Sequence, residues 1–75
     1  MKKVINGLLY DTDKSELLHQ DKDLRRSYYK TKNGRYFIAY RTGEISVIAE
    51  ERIRDILIEY NYDKYVELFG EPEEA

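Results

Sequence analysis

Cysteine and tryptophan are absent from this 75-residue chain, and proline, histidine and methionine occur once each. Without cysteine the chain can form neither a disulfide framework nor a thiolate metal site. The single histidine, His19, offers neither a metal-binding set nor a base–nucleophile pair. No apolar run approaches the roughly 20 residues of a membrane-spanning helix, and residues 1–7 lack the apolar stretch of a signal peptide. We expect a cytoplasmic protein with no membrane, metal or cofactor attachment.

Glycine is also scarce, with four residues in the chain. All four fall at predicted turns or at a predicted helix end, so no glycine-rich loop is available to cradle phosphates. The carboxylates lie mostly on predicted helix exteriors, and no pattern places two of them across a cleft for acid–base work. We therefore expect no catalytic residue and no enzymatic activity.

The charged residues are sorted along the chain. Residues 22–41 contain seven basic residues against one acid, a net charge of +6, whereas residues 42–75 contain three basic residues against ten acids, a net charge of −7. The formal net charge of −2 therefore conceals a strongly dipolar molecule. Sorted charge acts mainly on encounter and partner choice, so it indicates a protein that docks onto something charged.

Two Asn-Gly dipeptides divide the first half of the chain, at Asn6-Gly7 and Asn33-Gly34. Asn-Gly favours the positive φ values of a type I′ turn, which makes it a strong signal for a two-residue hairpin loop. With such a loop, Tyr29 faces Ile38 across the second hairpin, and a turn at Thr42-Gly43 continues the same face into a further strand. The predicted apolar face contains Tyr29, Tyr36, Ile38, Tyr40, Ile45 and Val47.

The opposite face of this predicted sheet is basic and carries two aromatic rings: Arg26, Tyr28, Lys30, Lys32, Arg35, Phe37 and Arg41. Cations for phosphate and rings for base stacking are typical of a nucleic-acid surface. The alternatives are a protein-binding face or a solvated face whose charge protects edge strands. The sequence pI of about 5.4 is low for a nucleic-acid module, which favours these alternatives.

After Ile48 the apolar residues follow the spacing of a helix. Two successive stripes show it: Ile53, Ile56, Leu57 and Tyr60, then Tyr62, Tyr65, Val66 and Phe69. Asn61 is predicted to end the first helix and to cap the second, and Gly70 with Pro72 to end the second. Residues 49–70 are therefore predicted to be helical, and residues 71–75 to form an acidic tail.

The outer side of these helices is acidic, with Glu50, Glu51, Asp55, Glu59, Asp63 and Glu67 as the candidate partner-binding residues. A dense acidic ridge could imitate a nucleic-acid backbone, which carries about one charge per 1.7 Å of duplex axis. An ordinary solvated helix exterior is the alternative.

Residues 12–23 are ambiguous, because Asp13 with Glu16 fits a capping box for a short helix, whereas the same residues could form an edge strand. We predict one domain over residues 1–75, with residues 1–48 mainly β. Its fold class is α+β: a small antiparallel sheet, with hairpins at Asn6-Gly7 and Asn33-Gly34, followed by two C-terminal helices packed on one face.

Several segments resemble small proteins of bacterial phages and mobile elements. The segments are Met1–Gly7 leading to Tyr10–Thr12, the hairpin Lys30–Phe37, Ala49–Glu51 at the start of a helix, and Tyr65–Gly70. Small acidic α+β phage proteins of this size are similar to anti-CRISPR proteins. The resemblance implies a protein that works in the cytoplasm of a bacterial host cell, where it binds a CRISPR effector and blocks its access to DNA, with no catalytic residue to carry over.

Three functions follow as hypotheses. The first is a non-enzymatic inhibitor of a host nucleic-acid-binding protein, an anti-CRISPR among the options, which uses the acidic helices. The second is a small nucleic-acid-binding regulator that uses the basic hairpin face. The third is a structural accessory module that dimerises and buries Tyr28 and Phe37.

Overall fold

Six strands precede two helices in the computed structural model, which describes residues 1–75. The elements are β1 (Lys2–Ile5), β2 (Leu8–Asp11), β3 (Glu16–Asp21), β4 (Arg26–Lys30), β5 (Tyr36–Tyr40), β6 (Ile45–Ile48), α1 (Glu50–Tyr60) and α2 (Tyr62–Phe69). β1 and β2 form a separate antiparallel hairpin, and β3 to β6 form a four-stranded antiparallel sheet in chain order. The predicted α+β class, with two C-terminal helices after the hairpins, is confirmed.

The central strand β5 is buried on both faces of the sheet, because each face is covered by a different element. The helix side holds Leu18, Tyr28, Tyr36, Ile38, Ile53 and Leu57. The other side holds Tyr10, Phe37, Ala39 and Ile45, with Ile5 and Tyr29 packed against them. The molecule therefore has three layers: the β1–β2 hairpin, the four-stranded sheet and the helix pair.

The loops on either side of β5 are one residue longer than predicted. In the β4–β5 loop, the Gly34 N–H donates to the Thr31 carbonyl at 3.0 Å and the Thr31 N–H to the Arg35 carbonyl at 2.7 Å. This is a three-residue loop, in which a type I turn is followed by a glycine at positive φ, here 83°. The β5–β6 loop repeats the arrangement with Gly43 at φ 99°.

The predicted register is therefore wrong by one residue on both sides of β5. Tyr28, not Tyr29, faces Ile38, and Ile45 faces Ala39 rather than Tyr40. A slip of one residue moves a side chain to the other face of the sheet. Tyr28 accordingly joins the helix side, and Tyr29 joins the hairpin side with Ile45 and Val47.

The first Asn-Gly step forms the two-residue turn that its sequence predicts. Ile5 pairs with Leu8 across it, and Asn6 and Gly7 have φ values of 51° and 77°. Positive φ at both central positions defines the type I′ turn, whose twist matches that of the flanking strands.

Residues 12–23 contain a single 3-10 turn (Thr12–Lys14) followed by the edge strand β3. The edge-strand alternative is correct, and the predicted capping box does not form. The cap is Asp11, whose side chain accepts the Asp13 N–H at 2.9 Å. β3 also contains a bulge, because Leu17 pairs with Tyr29 and His19 with Tyr28, which leaves Leu18 as the extra residue.

The predicted helical region forms two helices that break at Asn61. Ile53 and Leu57 of α1 are fully buried against the sheet. Asn61 caps α2 by accepting the Lys64 N–H at 3.4 Å, and Gly70, at φ 84°, ends α2 as predicted. The outer members of the two apolar stripes, Tyr60 and Tyr62, remain exposed, so the stripes lie only partly in the core.

Candidate interaction surfaces

Three of the predicted acidic residues form a continuous ridge on α1. Glu51, Asp55 and Glu59 are four residues apart, so they lie about 6 Å apart along the axis on one side of the helix. That side is opposite the buried pair Ile53 and Leu57. No lysine or arginine nitrogen lies within 4.0 Å of these carboxylates. We call them the acidic ridge.

The other three acidic candidates are arranged differently. Glu50 pairs with Arg54 at 3.1 Å, and Glu67 pairs with Lys64. Asp63 stands in the first turn of α2, where a negative charge suits the helix dipole. The structure therefore leaves Asp63 and the acidic ridge free of ion pairs.

Three exposed apolar side chains lie around the point where α1 ends and α2 begins. Ile58 is 49% exposed, Tyr60 58% and Tyr62 49%. Tyr60 stacks on His19 with 6.0 Å between ring centroids, and Tyr62 stacks on Tyr65 at 6.1 Å. The two rings are thus supported from beneath while one side stays in water. We call Ile58, Tyr60 and Tyr62 the junction patch.

Asn61 holds this junction against the sheet. Its side-chain nitrogen donates to the Leu18 carbonyl at 2.9 Å. Leu18 is the extra residue of the β3 bulge, which is left out of the strand pairing, so its carbonyl is available to a partner outside the sheet. The bulge thereby fixes the junction patch relative to β3.

Lys64 adds a second link between α2 and β3. Its ammonium donates to Glu67 at 2.6 Å and to Glu16 at 3.1 Å. These two hydrogen bonds raise the pKa of Lys64 above its ordinary value. An ion pair this exposed adds little stability by itself, but it offsets part of the negative charge of Glu16 and Glu67. Among the six acidic candidates, Asp63 and the acidic ridge are left without an ion pair.

His19 is part-buried. Its ring lies between two tyrosines, with 6.1 Å to the Tyr28 centroid and 6.0 Å to the Tyr60 centroid. The stack joins β3, β4 and the end of α1. No group of three His, Asp or Glu side chains is placed to hold a metal ion.

The predicted basic face does not exist as one surface. Tyr28 is 3% exposed on the helix side and Phe37 is fully buried on the hairpin side. Burial raises the pKa of Tyr28 above its ordinary value, because the tyrosinate form would lose its hydration. Neither ring can stack on a nucleic-acid base, and both belong to the core of a single copy, so neither is left for a dimer interface.

The basic candidates instead separate to the two ends of the sheet. Lys30, Lys32 and Arg35 lie at the β4–β5 loop, and Arg26 and Arg41 lie at the opposite end of these strands. None of the five forms an ion pair within 4.0 Å. Their part in partner binding stays a prediction, now for two separate sites.

The second core layer was not predicted, although the chain contains a signal for it. β5 reads Tyr-Phe-Ile-Ala-Tyr between two turns. A short apolar run without alternation is typical of a strand that is buried on both faces. The second face of β5 is buried by Ile5 and Tyr10 of the β1–β2 hairpin.

No helix of this protein is both long and apolar enough to span a membrane. No protein-family model, curated protein or solved structure matches the chain.

Proposed function

We propose that this chain is a non-enzymatic inhibitor that binds a basic, nucleic-acid-binding surface of a partner protein and competes there with nucleic acid. The observation that supports it is the acidic ridge, whose three carboxylates have no ion-pair partner, together with the half-exposed junction patch at the end of the same helix. An exposed apolar patch with a polar rim is the usual composition of a protein-binding site.

The two surfaces have different tasks in this proposal. Three carboxylates about 6 Å apart are sparser than the charge of a duplex, which is about one per 1.7 Å. The acidic ridge therefore steers encounter and selects a basic partner. Most of the affinity comes from the junction patch, where Tyr60 and Tyr62 provide the large, amphipathic rings that often anchor interfaces.

The choice of target rests on the resemblance to small phage and mobile-element proteins. It makes a CRISPR effector nuclease the first partner to test, since such an enzyme binds nucleic acid in a positively charged channel. In this proposal the inhibitor occupies that channel in a one-to-one complex and prevents DNA from entering.

The test reverses the charge of the acidic ridge with Glu51→Lys, Asp55→Lys and Glu59→Lys. The matched control changes three exposed tail residues by the same total charge: Glu71→Lys, Glu73→Lys and Glu74→Lys. We expect the ridge variant to bind a purified CRISPR effector nuclease at least about tenfold more weakly and to stop inhibiting DNA cleavage, since several charge contacts become repulsions. The tail variant should change both measurements much less.

The proposal is wrong if the wild-type chain neither binds the nuclease nor inhibits it. Equal losses in the ridge and tail variants would show that only net charge matters, which contradicts a defined binding surface. A Tyr62→Ala variant separates the junction patch from the charge, because it should weaken binding with little change in its salt dependence.

The unpaired cations of the β4–β5 loop favour a second candidate, a small nucleic-acid-binding regulator. Lys30, Lys32 and Arg35 have no carboxylate within 4.0 Å. This candidate predicts affinity for a single strand that falls steeply with salt and disappears when the three residues are changed to glutamate. Absence of any binding at low salt would eliminate it.

A further inference from the structure

A groove of about 600 Å³ lies at the end of the sheet where the β3–β4 and β5–β6 turns meet. Met1 and Thr12, at the open end of the β1–β2 hairpin, close one side of it. Side chains that could contact a ligand there include Gln20, Lys22, Arg25, Ser27, Tyr29 and Arg41. The groove is on the hairpin side of the sheet, so it is separate from the acidic ridge and the junction patch.

The backbone brings two arginines side by side at this groove. The Arg41 N–H donates to the Arg25 carbonyl at 3.0 Å, which ties the two turns together. Lys22, from the same turn as Arg25, adds a third cation. Asp21 is the only carboxylate in the lining, and one of its oxygens already accepts the Leu24 N–H at 3.0 Å.

These three cations form no ion pair within 4.0 Å. Like charges gathered in a concave site concentrate their field and raise the local concentration of anions. Arg26 also lines the groove, but its guanidinium carbon lies 5.9 Å from the centroid of the Tyr28 ring, which belongs to the helix side. Arg26 is therefore left out of the proposed ligand contacts.

Arg25 occupies a backbone position that suits glycine better. Its φ is 54°, in the left-handed region that side chains other than Asn and Asp rarely adopt. A glycine would form this turn without strain. An arginine at this position therefore contributes its guanidinium at a conformational cost, which is typical of residues kept for binding.

We propose that this groove binds a nucleoside phosphate. The guanidinium groups of Arg25 and Arg41 match the geometry of a phosphate, and Lys22 adds a point charge. The volume is within the range of small-molecule sites and exceeds that of a phosphate. The neutral polar groups of Gln20 and Ser27 can bond to the sugar or to the base edge.

The experiment titrates the wild-type chain with AMP by calorimetry, with adenosine and inorganic phosphate as separate probes. We expect AMP to bind and adenosine to bind at least about tenfold more weakly, since adenosine lacks the charged contacts. Arg25→Gly and Arg41→Gln should each weaken AMP binding by about tenfold. The matched control, Arg52→Gln, removes one exposed arginine of α1, which does not line the groove, and should leave the affinity unchanged.

The Arg25→Gly variant keeps the test independent of folding, because glycine accepts the φ of 54° without strain. Its melting temperature should equal or exceed that of the wild type. A 5′-phosphorylated oligonucleotide identifies the source of the ligand. If it binds more tightly than AMP and with the same sensitivity to Arg25→Gly, the ligand is a strand end; if only AMP binds, the ligand is a free nucleotide.

The proposal fails if AMP does not bind, or if Arg52→Gln weakens binding as much as Arg25→Gly does. Adenosine that binds as tightly as AMP would exclude phosphate recognition, and inorganic phosphate that does so would exclude the nucleoside. None of these variants changes a residue of the acidic ridge. A negative result for nucleotide binding would therefore not contradict the proposed inhibitor function, which is tested separately.

Discussion

At the scale of single residues, Asn61 connects three elements of the molecule, α1, α2 and β3. Its backbone N–H donates to the Leu57 carbonyl at 2.9 Å and closes α1. Its side-chain oxygen accepts the Lys64 N–H and starts α2. Its side-chain nitrogen donates to the Leu18 carbonyl, which the β3 bulge leaves free. One amide therefore sets both the break between the helices and their position over the sheet.

Replacing Asn61 should separate these contributions. Asn61→Ala removes the helix cap, worth about 1 kcal/mol, and leaves the part-buried Leu18 carbonyl without its partner, for about 1 kcal/mol more. We expect a loss of about 2 kcal/mol in the free energy of unfolding, measured with urea. Asn61→Ser keeps a capping oxygen but cannot donate to Leu18, so it should lose about half as much. Equal losses would mean that the cap contributes nothing.

At the scale of the elements, the same Asn-Gly dipeptide forms two different turns. Asn6 adopts a φ of 51° in a two-residue turn. Asn33 lies in a three-residue loop in which only Gly34 has positive φ. Local preference favours the shorter turn in both places. The longer loop prevails between β4 and β5 because its register buries Tyr28 against the helices, and burial outweighs a turn preference.

The two asparagines should therefore respond differently to alanine. Asn6→Ala places a Cβ-bearing residue without a compensating side chain in the left-handed region, at a cost of about 1 kcal/mol. Asn33→Ala should cost less than about 0.5 kcal/mol, as at an ordinary surface position. Hydrogen exchange of the β1–β2 amides measures the loss in Asn6→Ala, and urea unfolding measures the loss in Asn33→Ala. A loss at Asn33 as large as that at Asn6 would contradict the three-residue loop.

The elements themselves were largely predictable, and their pairing was not. The helix periods, the break at Asn61 and the stop at Gly70 depend on residues within a few positions of one another. Register depends on which of two adjacent tyrosines meets the helices, and Tyr28 and Tyr29 are locally equivalent. The acidic ridge was predictable for the same reason as the helices. The prediction of one basic face was wrong because it depended on the wrong register.

At the scale of the whole molecule, negative charge is concentrated on the helices and positive charge at the two ends of the four-stranded sheet. The acidic ridge and junction patch lie on the helix layer, whereas the cations of the β3–β4, β4–β5 and β5–β6 turns lie at the two ends of the four-stranded sheet. The three ion pairs of the structure all involve a residue of α1 or α2. The sheet keeps its positive charge exposed as a result, and the protein can present surfaces of opposite sign to different partners.

The stability of the whole fold should fall in alkali. Burial raises the pKa of Tyr28 and of Tyr36, the latter helped by Glu50, and hydrogen bonds to Glu67 and Glu16 raise that of Lys64. Each group holds its proton more tightly in the folded state than in the unfolded state. Its contribution to the free energy of unfolding is therefore fully present below the ordinary pKa, which is 10.0 for tyrosine and 10.5 for lysine. That contribution is lost as the pH rises through the raised values.

Urea unfolding at neutral pH and at several values above pH 10.0 measures this loss. The Tyr36→Phe variant removes one of the titrating groups, together with a long 3.5 Å hydrogen bond from the Tyr36 hydroxyl to Glu50. Its stability should decline less steeply with pH than that of the wild type. A free energy of unfolding that stays level above pH 10.0 would contradict the assigned pKa directions.

The amino-acid sequence by itself determined the type and order of the elements, the first turn, the helix ends and the acidic ridge. Each of these depends on side chains that are neighbours along the chain, so local periodicity, turn chemistry and capping are sufficient. Only the tertiary structure decided the register around β5, the second core beneath the β1–β2 hairpin and the meeting of Arg25 with Arg41. These depend on burial and hydrogen bonds between distant residues, which no local pattern encodes.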